Sequence, residues 1–315
     1  MTDIAKRRRA LSDSSAPARF RSLVAAVDLS PGSDRVLGRL SLLPIADDAQ
    51  VTLLHVVPGG LRDSEQRRAE REASKVLADE VRHLRKQIHK KVRVDSLVTV
   101  GTAAKEIAAL ATKQQAELVV MGRGGGRALR DAFLGSTAER VIRQAPVPVL
   151  VVRLAARAAY RRPALALELD QAAHEVIRLL LFVLPPPRPP VEVIHAFSSP
   201  YRGMAYASLS DDEAEEKKAE LRSNATQALA TLLTQALAKA DVEPDDRPVW
   251  KTHVRYGSPR VVVDRALKKG ETDLLVLGTH GYSGAAYLFL GTVAGDLLRA
   301  ARCDVLVVPP SPRRQ

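Results

Sequence analysis

The chain has 315 residues, 46% of them hydrophobic, which suits two domains of about 150 residues, each with its own core. One cysteine, Cys303, excludes an internal disulfide framework and fits a buried thiol in a reducing, cytoplasmic compartment. No apolar run reaches about 18 residues, so no membrane-spanning helix is expected, and the basic N-terminus lacks the apolar stretch of a secretory signal.

The net charge of +12 is unevenly spread. Residues 1–160 hold 28 Lys and Arg against 17 Asp and Glu, while residues 161–315 hold 20 against 19. A basic half can attract nucleic acid or an acidic partner. Many of these arginines, however, are interleaved with glutamates between Leu61 and Lys91, and no aromatic side chains sit among them to stack on bases. A solvated helix is the simpler reading, and nucleic-acid binding is not the expectation.

In chain order, residues 1–18 read as a disordered basic tail. Leu23 to Val27 is a short apolar run, as expected of a strand buried on both faces. Asp28 ends it, and Ser30-Pro31 looks like a helix start, with Ser as N-cap and Pro first in the helix that runs to about Leu43. Val51 to Val57 is a second strand. A long helix follows, with apolar residues Ala73, Leu77, Val81, Leu84 and Ile88 on one stripe. Val92 to Val100 is a third strand ended by Gly101, Ala103 to Lys113 a helix, and Leu118 to Met121 a fourth strand. A glycine-rich loop, a helix from Ser136 to Gln144 and a fifth strand, Val147 to Val152, complete the unit. Such alternation implies a parallel sheet with helices on both faces.

The same grammar then recurs. Ala164 to Leu167 and Val191 to Phe197 read as strands, and Asp211 to Ala240 as a long helix with an apolar stripe at Leu221, Ala225, Ala228 and Leu232. His195 stands 140 residues after His55, whereas Gly257 and Gly278 stand 156 after Gly101 and Gly122. The extra residues are expected in the loop Ser198 to Ser210. The units are 19–153 and 164–310, joined by a linker, 154–163. In each, one glycine is followed after two residues by a second, and after nine more by a third and a hydroxyl residue. These are Gly122, Gly125, Gly135 and Ser136 in the first unit, and Gly278, Gly281, Gly291 and Thr292 in the second.

In open parallel sheets ligands bind beyond the carboxyl ends of the strands, where the strand order reverses. Asp28 and Gly122 end the first and fourth strands, so they are expected to face one crevice. Glycines let backbone N–H groups approach an anion, and Gly135-Ser136 adds a helix N-terminus with a hydroxyl donor. This combination suits a polyphosphate held by backbone, with Asp28 left for a neutral hydrogen-bonding moiety. Arg123, Arg127 and Arg130 could add charge. Glycines after a strand are also common turn formers, but turn chemistry does not fix a nine-residue interval twice. His55 and His195, inside apolar strands, read as hydrogen-bonded core residues, and His280 as a loop residue within reach of a phosphate. No His/Cys/Asp cluster has the usual metal-ligand spacing, so no metal site is assigned.

This glycine pattern, set between an apolar strand and Val-Pro-Val-Leu-Val-Val, resembles the universal stress protein family, in tandem form over residues 19–310. Asp28, Leu54-His55-Val56 and Gly101 are similar to that family too. The resemblance implies two Rossmann-like domains and an adenine-nucleotide ligand, ATP. It implies adenosine contacts at Val27, Asp28 and Val56, and phosphate contacts at Gly122, Gly125, Gly135, Ser136 and Thr137. Met121 adjoins that set. The second-unit counterparts are Glu168, Leu277, Gly278, Gly281, Gly291 and Thr292. The resemblance also implies that the fifth strands pair domains, within one chain or in a homodimer. The second unit departs from the pattern, with Glu168 in place of Asp28, so the first site is expected to be the more intact.

A regulatory nucleotide-binding protein is therefore the leading expectation. The alternatives are a slow ATP-hydrolysing enzyme and an adaptor for nucleic acid or an acidic partner. No Gly-x4-Gly-Lys-Ser/Thr loop, His-x-x-His signature or Ser-Gly-Gly-x-Asp-Ser loop is present, so no catalytic residue is assigned. Asp131 is a candidate for holding Mg2+ beside ATP, but no second carboxylate accompanies it.

Overall fold

The computed structural model describes residues 19–124, 136–198, 210–269, 271–279 and 290–310. The basic tail, Gly125, Gly135, Gly281, Asp131, Arg127, Arg130 and His280 lie outside them. The first unit comprises β1 (Phe20–Ala26), α1 (Ser33–Leu40), β2 (Ile45–Pro58), α2 (Asp63–Gln87), β3 (Arg93–Gly101), α3 (Ala103–Lys113), β4 (Leu118–Gly122), α4 (Ser136–Gln144) and β5 (Val149–Val152). The second comprises β6 (Pro163–Ala166), α5 (Ala173–Val183), β7 (Val191–Phe197), α6 (Asp211–Lys239), β8 (Trp250–Tyr256), α7 (Pro259–Lys269), β9 (Leu274–Gly278), α8 (Thr292–Ala300) and β10 (Asp304–Val308).

All ten strands form one sheet, in the order β3-β2-β1-β4-β5-β10-β9-β6-β7-β8. Within each half every pairing is parallel, and the halves meet where β5 and β10 pair antiparallel, with Val151 opposite Val305 and Leu150 opposite Leu306. The domain pairing is thus made within the chain. Both edges of β5 and of β10 are used, so neither fifth strand has an edge left for a second chain.

Strand alternation assigns the two faces. Leu23, Ala25, Leu118, Val120, Leu150 and Leu306 pack beneath α1, α2, α5 and α6, while Val24, Val119, Met121, Val151 and Val305 pack beneath α3, α4, α7 and α8. Both cores run across the seam. The α2 stripe is buried as its spacing implies, at Ala73, Leu77, Val81 and Leu84. Of the α6 stripe expected from the sequence, Leu232 is buried, Ala225 packs against the core and Leu221 is half-buried, whereas Ala228 is exposed; Leu229, Leu233, Ala236 and Leu237 are buried in addition. Only the C-terminal half of this 29-residue helix lies deep on the sheet, so the buried stripe is widest there.

The inserted residues of the second half are also shared out. The connection before α6 covers 198–210 where the first half has 59–62, α6 has 29 residues against 25 in α2, and the connection after it covers 240–249 where the first half has 88–92. Other details repeat closely. Glu117 accepts from Arg21 N (2.5 Å) and Ser22 N (3.2 Å) before β4, and Asp273 accepts from Arg161 N (2.7 Å) and Arg162 N (3.0 Å) before β9.

At the seam one carboxylate gathers four donors. Asp304, fully buried, accepts from Arg153 N (2.7 Å) and Leu154 N (2.9 Å) on Oδ1, and from Tyr160 OH (2.8 Å) and Arg39 Nε (3.1 Å) on Oδ2. The Arg39 guanidinium stacks 3.8 Å from the centre of the Tyr160 ring and donates to Ala158 O at 3.0 Å. A buried charge is tolerated only when paired and hydrogen-bonded, and here β10, the linker and α1 jointly supply the partners. Next to it, Cys303 is a buried free thiol.

Two predictions follow from this seam. Asp304→Ala leaves Arg39 buried without its partner and is expected to cost about 3–5 kcal/mol. Arg39→Ala should cost much less in that background than in the wild type, as read by urea denaturation; strictly additive effects would contradict the coupling. Burial pushes the Cys303 thiol from 9.0 up to about 12 and, with Asp304 beside it, lifts the Tyr160 phenol well above 10.0. In the unfolded chain both groups ionise at their ordinary values. Stability from keeping them neutral is therefore complete below about pH 9 and is lost as the pH rises toward 12. Denaturation midpoints should fall across that window, and a flat profile would refute the assignment.

Candidate functional site

The first half contains a cavity of about 410 Å3 at the carboxyl ends of its strands. Its floor is the β1–β4 crevice, where the order turns from β2 on one side of β1 to β4 on the other, with Ala26 opposite Met121. Val27, Asp28, His55, Val56, Met121 and Gly122 line it from the strand ends. Ser33, Arg35 and Val36 of α1, Ala103 and Ile107 of α3, and Thr137 of α4 close its sides.

Asp28 is exposed and organises the turn into α1. Its Oδ1 accepts from Ser30 Oγ (2.6 Å), Ser30 N (3.0 Å) and Ser33 Oγ (3.2 Å), while Oδ2 has no hydrogen bond among the described residues. One oxygen thus holds the loop and the other is left at the cavity. Ser30 is not the N-cap expected from the sequence: that position is Gly32, and Ser30 Oγ instead relays between Asp28 and Gly32 N at 3.2 Å. Leu29 between them has φ 58°, strained for a side chain with a Cβ, and it holds the carboxylate at the strand end.

His55 is both a structural residue, as expected, and a lining residue, which was not expected. Its Nδ1 lies 2.9 Å from Val27 O, and since a carbonyl can only accept, Nδ1 carries the proton. His195 repeats the contact with Leu167 O at 3.0 Å, and burial holds its pKa below the ordinary value. Their equal spacing from the strand-one carbonyl was the sequence signal for this device.

The glycines differ in what the fold asks of them. Gly101 has φ 156°, a backbone conformation that favours glycine, while an added Cβ would displace only the flexible end of Glu106, at 2.7 Å from Oε1. Gly122 does not lie in the left-handed region, and a Cβ would meet only Val36 Cγ2 at an ordinary 3.7 Å. Among the described residues, nothing in the packing excludes a side chain at Gly122. A bare backbone there gives a ligand close access to the chain, at the cavity floor.

Of the residues expected at the first site, Val27, Asp28, Val56, Met121, Gly122 and Thr137 therefore share one cavity. Ser136 starts α4 beside Thr137. Arg35 and Arg153 are lining residues that the sequence reading missed, because Arg35 looks like an ordinary helix-surface cation and Arg153 is only the last residue of the first unit, after the fifth strand. Arg35 Nη1 donates to Arg153 O at 2.8 Å. Arg153 is buried; its guanidinium donates to Ala301 O (2.7 Å) and to Leu298 O at the end of α8. Burial holds its pKa below the ordinary value, the charge of Arg123 acts in the same direction, and Cys303 and Asp304 oppose them.

In the second half, Leu277 and Gly278 end β9, Glu168 follows β6, and Gly291 caps α8 ahead of Thr292. The chain is stitched down there: Thr279 N donates to Val308 O (3.1 Å) and Gly291 N to Thr279 O (2.9 Å). Asp170, in the place of Ser30, accepts from Ala173 N at 3.0 Å. A second, more open cavity of about 460 Å3 lies between Leu169, Asp170 and the exposed face of α6 at Asn224, Gln227 and Thr231, and none of the glycine-motif residues lines it. Among the described residues no group of three or more His, Cys, Asp or Glu is placed to hold a metal, and no helix is long and apolar enough to cross a membrane.

The model of the universal stress protein family matches residues 19–153 and again 160–309. This chain belongs to the universal stress protein family. A universal stress protein of Mycolicibacterium smegmatis is 25% identical over 91% of this chain and 97% of its own length. One from Methanocaldococcus jannaschii is 45% identical over 20% of the chain, and one from Mycobacterium bovis 28% identical over 62%. The chain spans 36% and 63% of the lengths of these last two relatives. A universal stress protein structure from Archaeoglobus fulgidus superposes with a TM-score of 0.63 over 91% of this chain and 95% of its own, at 16% identity, which bears on the fold.

The contrast between glycines yields a stability test. Gly101→Ala is expected to cost about 1–2 kcal/mol from its left-handed backbone, whereas Gly122→Ala should leave the Tm nearly unchanged. Comparable losses in thermal denaturation would sink the distinction.

Proposed function

We propose that this tandem universal stress protein binds an adenine nucleotide, ATP with or without Mg2+, in the cavity of its first half. On this reading it acts as a cytoplasmic regulatory module rather than as a catalyst. The observation that carries the reading is the meeting of Asp28, with one oxygen uncommitted, and Gly122, with no structural need to be glycine, in one cavity of about 410 Å3. Apolar side chains at Val27, Val56, Ile107 and Met121 suit the faces of a purine, and Asp28 Oδ2 suits a ribose hydroxyl. Phosphates would lie toward Gly122, Gly125, Gly135, Ser136 and Thr137, where the N-terminus of α4 carries the positive end of the helix dipole.

The same reading gives the second half a weaker or different site at Glu168, Leu277, Gly278, Gly281, Gly291 and Thr292. Glu168 is one methylene longer than Asp28, and Asp170 is engaged in holding α5.

Titration calorimetry of the full chain with ATP tests the proposal. Asp28→Ala and Gly122→Ala are each expected to weaken binding by about tenfold or more, as expected for losing a hydrogen bond to a charged group or a close backbone approach. Glu168→Ala should change it little. Unchanged affinity in the first two variants, or a larger loss in the third, would overturn the assignment.

A further inference from the structure

Three arginines, Arg35, Arg123 and Arg153, line the first cavity, and among the described residues one carboxylate does, that of Asp28, whose Oδ1 is committed to the serine turn. Arg35 lies in the first turn of α1 and is exposed. Its bond to Arg153 O tethers it over the ends of β4 and β5, the glycine side of the cavity, away from Val56 and β2. It pairs with no carboxylate among the described residues. Arg153 Nε, on a side chain only 9% exposed, has no hydrogen-bond partner among them.

The repeat supplies a control within the same molecule. Val36 and Val176 stand at matching places, each the nearest side chain that a Cβ added to the glycine ending the fourth strand of its half would meet (3.7 Å at Gly122, 3.5 Å at Gly278). The residue before Val36 is Arg35, whereas the residue before Val176 is Glu175, which pairs with Arg178. Thr279 stands for Arg123 and Pro309 for Arg153. The fold is the same in both halves, yet the charge at the corresponding wall is reversed at one position and absent at two. Backbone geometry therefore does not account for the cations.

We propose that Arg35, with Arg123, forms a cationic wall that makes the first site selective for a polyphosphate chain, and that Glu175 turns the second site away from such ligands. This rests on the nucleotide reading of the cavity. Like charges crowded at a half-buried wall repel one another, and each added phosphate offsets more of that repulsion, whereas an uncharged nucleoside offsets none. Affinity at the first site then rises from adenosine through AMP and ADP to ATP, and the gradient is flattened by salt.

Calorimetry of the full chain with these four ligands provides the test. Arg35→Glu is expected to weaken ATP by about tenfold or more, and adenosine by less than about twofold. Arg35→Gln, which keeps a donor for Arg153 O, should give an intermediate loss with an unchanged Tm. Glu175→Arg should strengthen a second ATP-binding event. Equal losses for ATP and adenosine, or no loss for either, would overturn the wall while leaving nucleotide binding intact. Should no adenine nucleotide bind the wild type, the functional reading fails, and inorganic tripolyphosphate tests the wall by itself: binding lost in Arg35→Glu supports it, and no binding to the wild type refutes it.

Discussion

The structure depends on the antiparallel contact between β5 and β10. Two parallel half-sheets, each complete in its own crossover connections, become one ten-stranded sheet only through this pairing. Antiparallel ladders need no crossover, so they can join two finished units along their edges. The contact buries Leu150 and Leu306 completely, and Asp304 ties α1, the linker and β10 to one buried carboxylate. That carboxylate carries a high desolvation cost, met by four donors that come together only in the assembled seam.

The seam also orients the sites. Because the strands of the two halves run in opposite directions, the carboxyl ends of the first half point to one edge of the sheet and those of the second half to the other. Asp304, at the start of β10, therefore lies beside the end of β5 and the first cavity, while the end of β10 lies by the second glycine motif. Arg153 touches both worlds: its carbonyl receives Arg35 at the cavity, and its guanidinium holds the last carbonyls of α8, the helix that begins at Gly291-Thr292. Cations favour helix C-termini, so a residue whose backbone lies at one half's cavity steadies a helix of the other with its charge.

Much of this was legible along the chain. Short apolar strands, the α2 stripe and the repeated glycine interval all encode local structure within a few residues, and the alternation of strand and helix specified the parallel half-sheets. Asp28 and Gly122 were legible as neighbours because both end strands at a reversal of order. Depth was less legible. In α6 the expected stripe holds at Ala225 and Leu232 and fails at Ala228, and only the C-terminal half of the helix lies deep on the sheet. Ser30-Pro31 has the composition of a helix cap, but Asp28 draws the serine hydroxyl into its own turn.

By itself, then, the sequence determined two copies of a parallel α/β unit and the two ends of a candidate nucleotide crevice. Those features rest on periodicity, turn residues and spacing, which act over short separations. Tertiary structure decided that the fifth strands pair within the chain and that Asp304 becomes a buried anchor. It also decided that Gly101 serves the backbone while Gly122 leaves a space, and that Arg35, Arg123 and Arg153 converge on one wall. Each of these depends on groups far apart in the chain, whose meeting is set by packing across the seam and the sheet, and no local pattern carries that information.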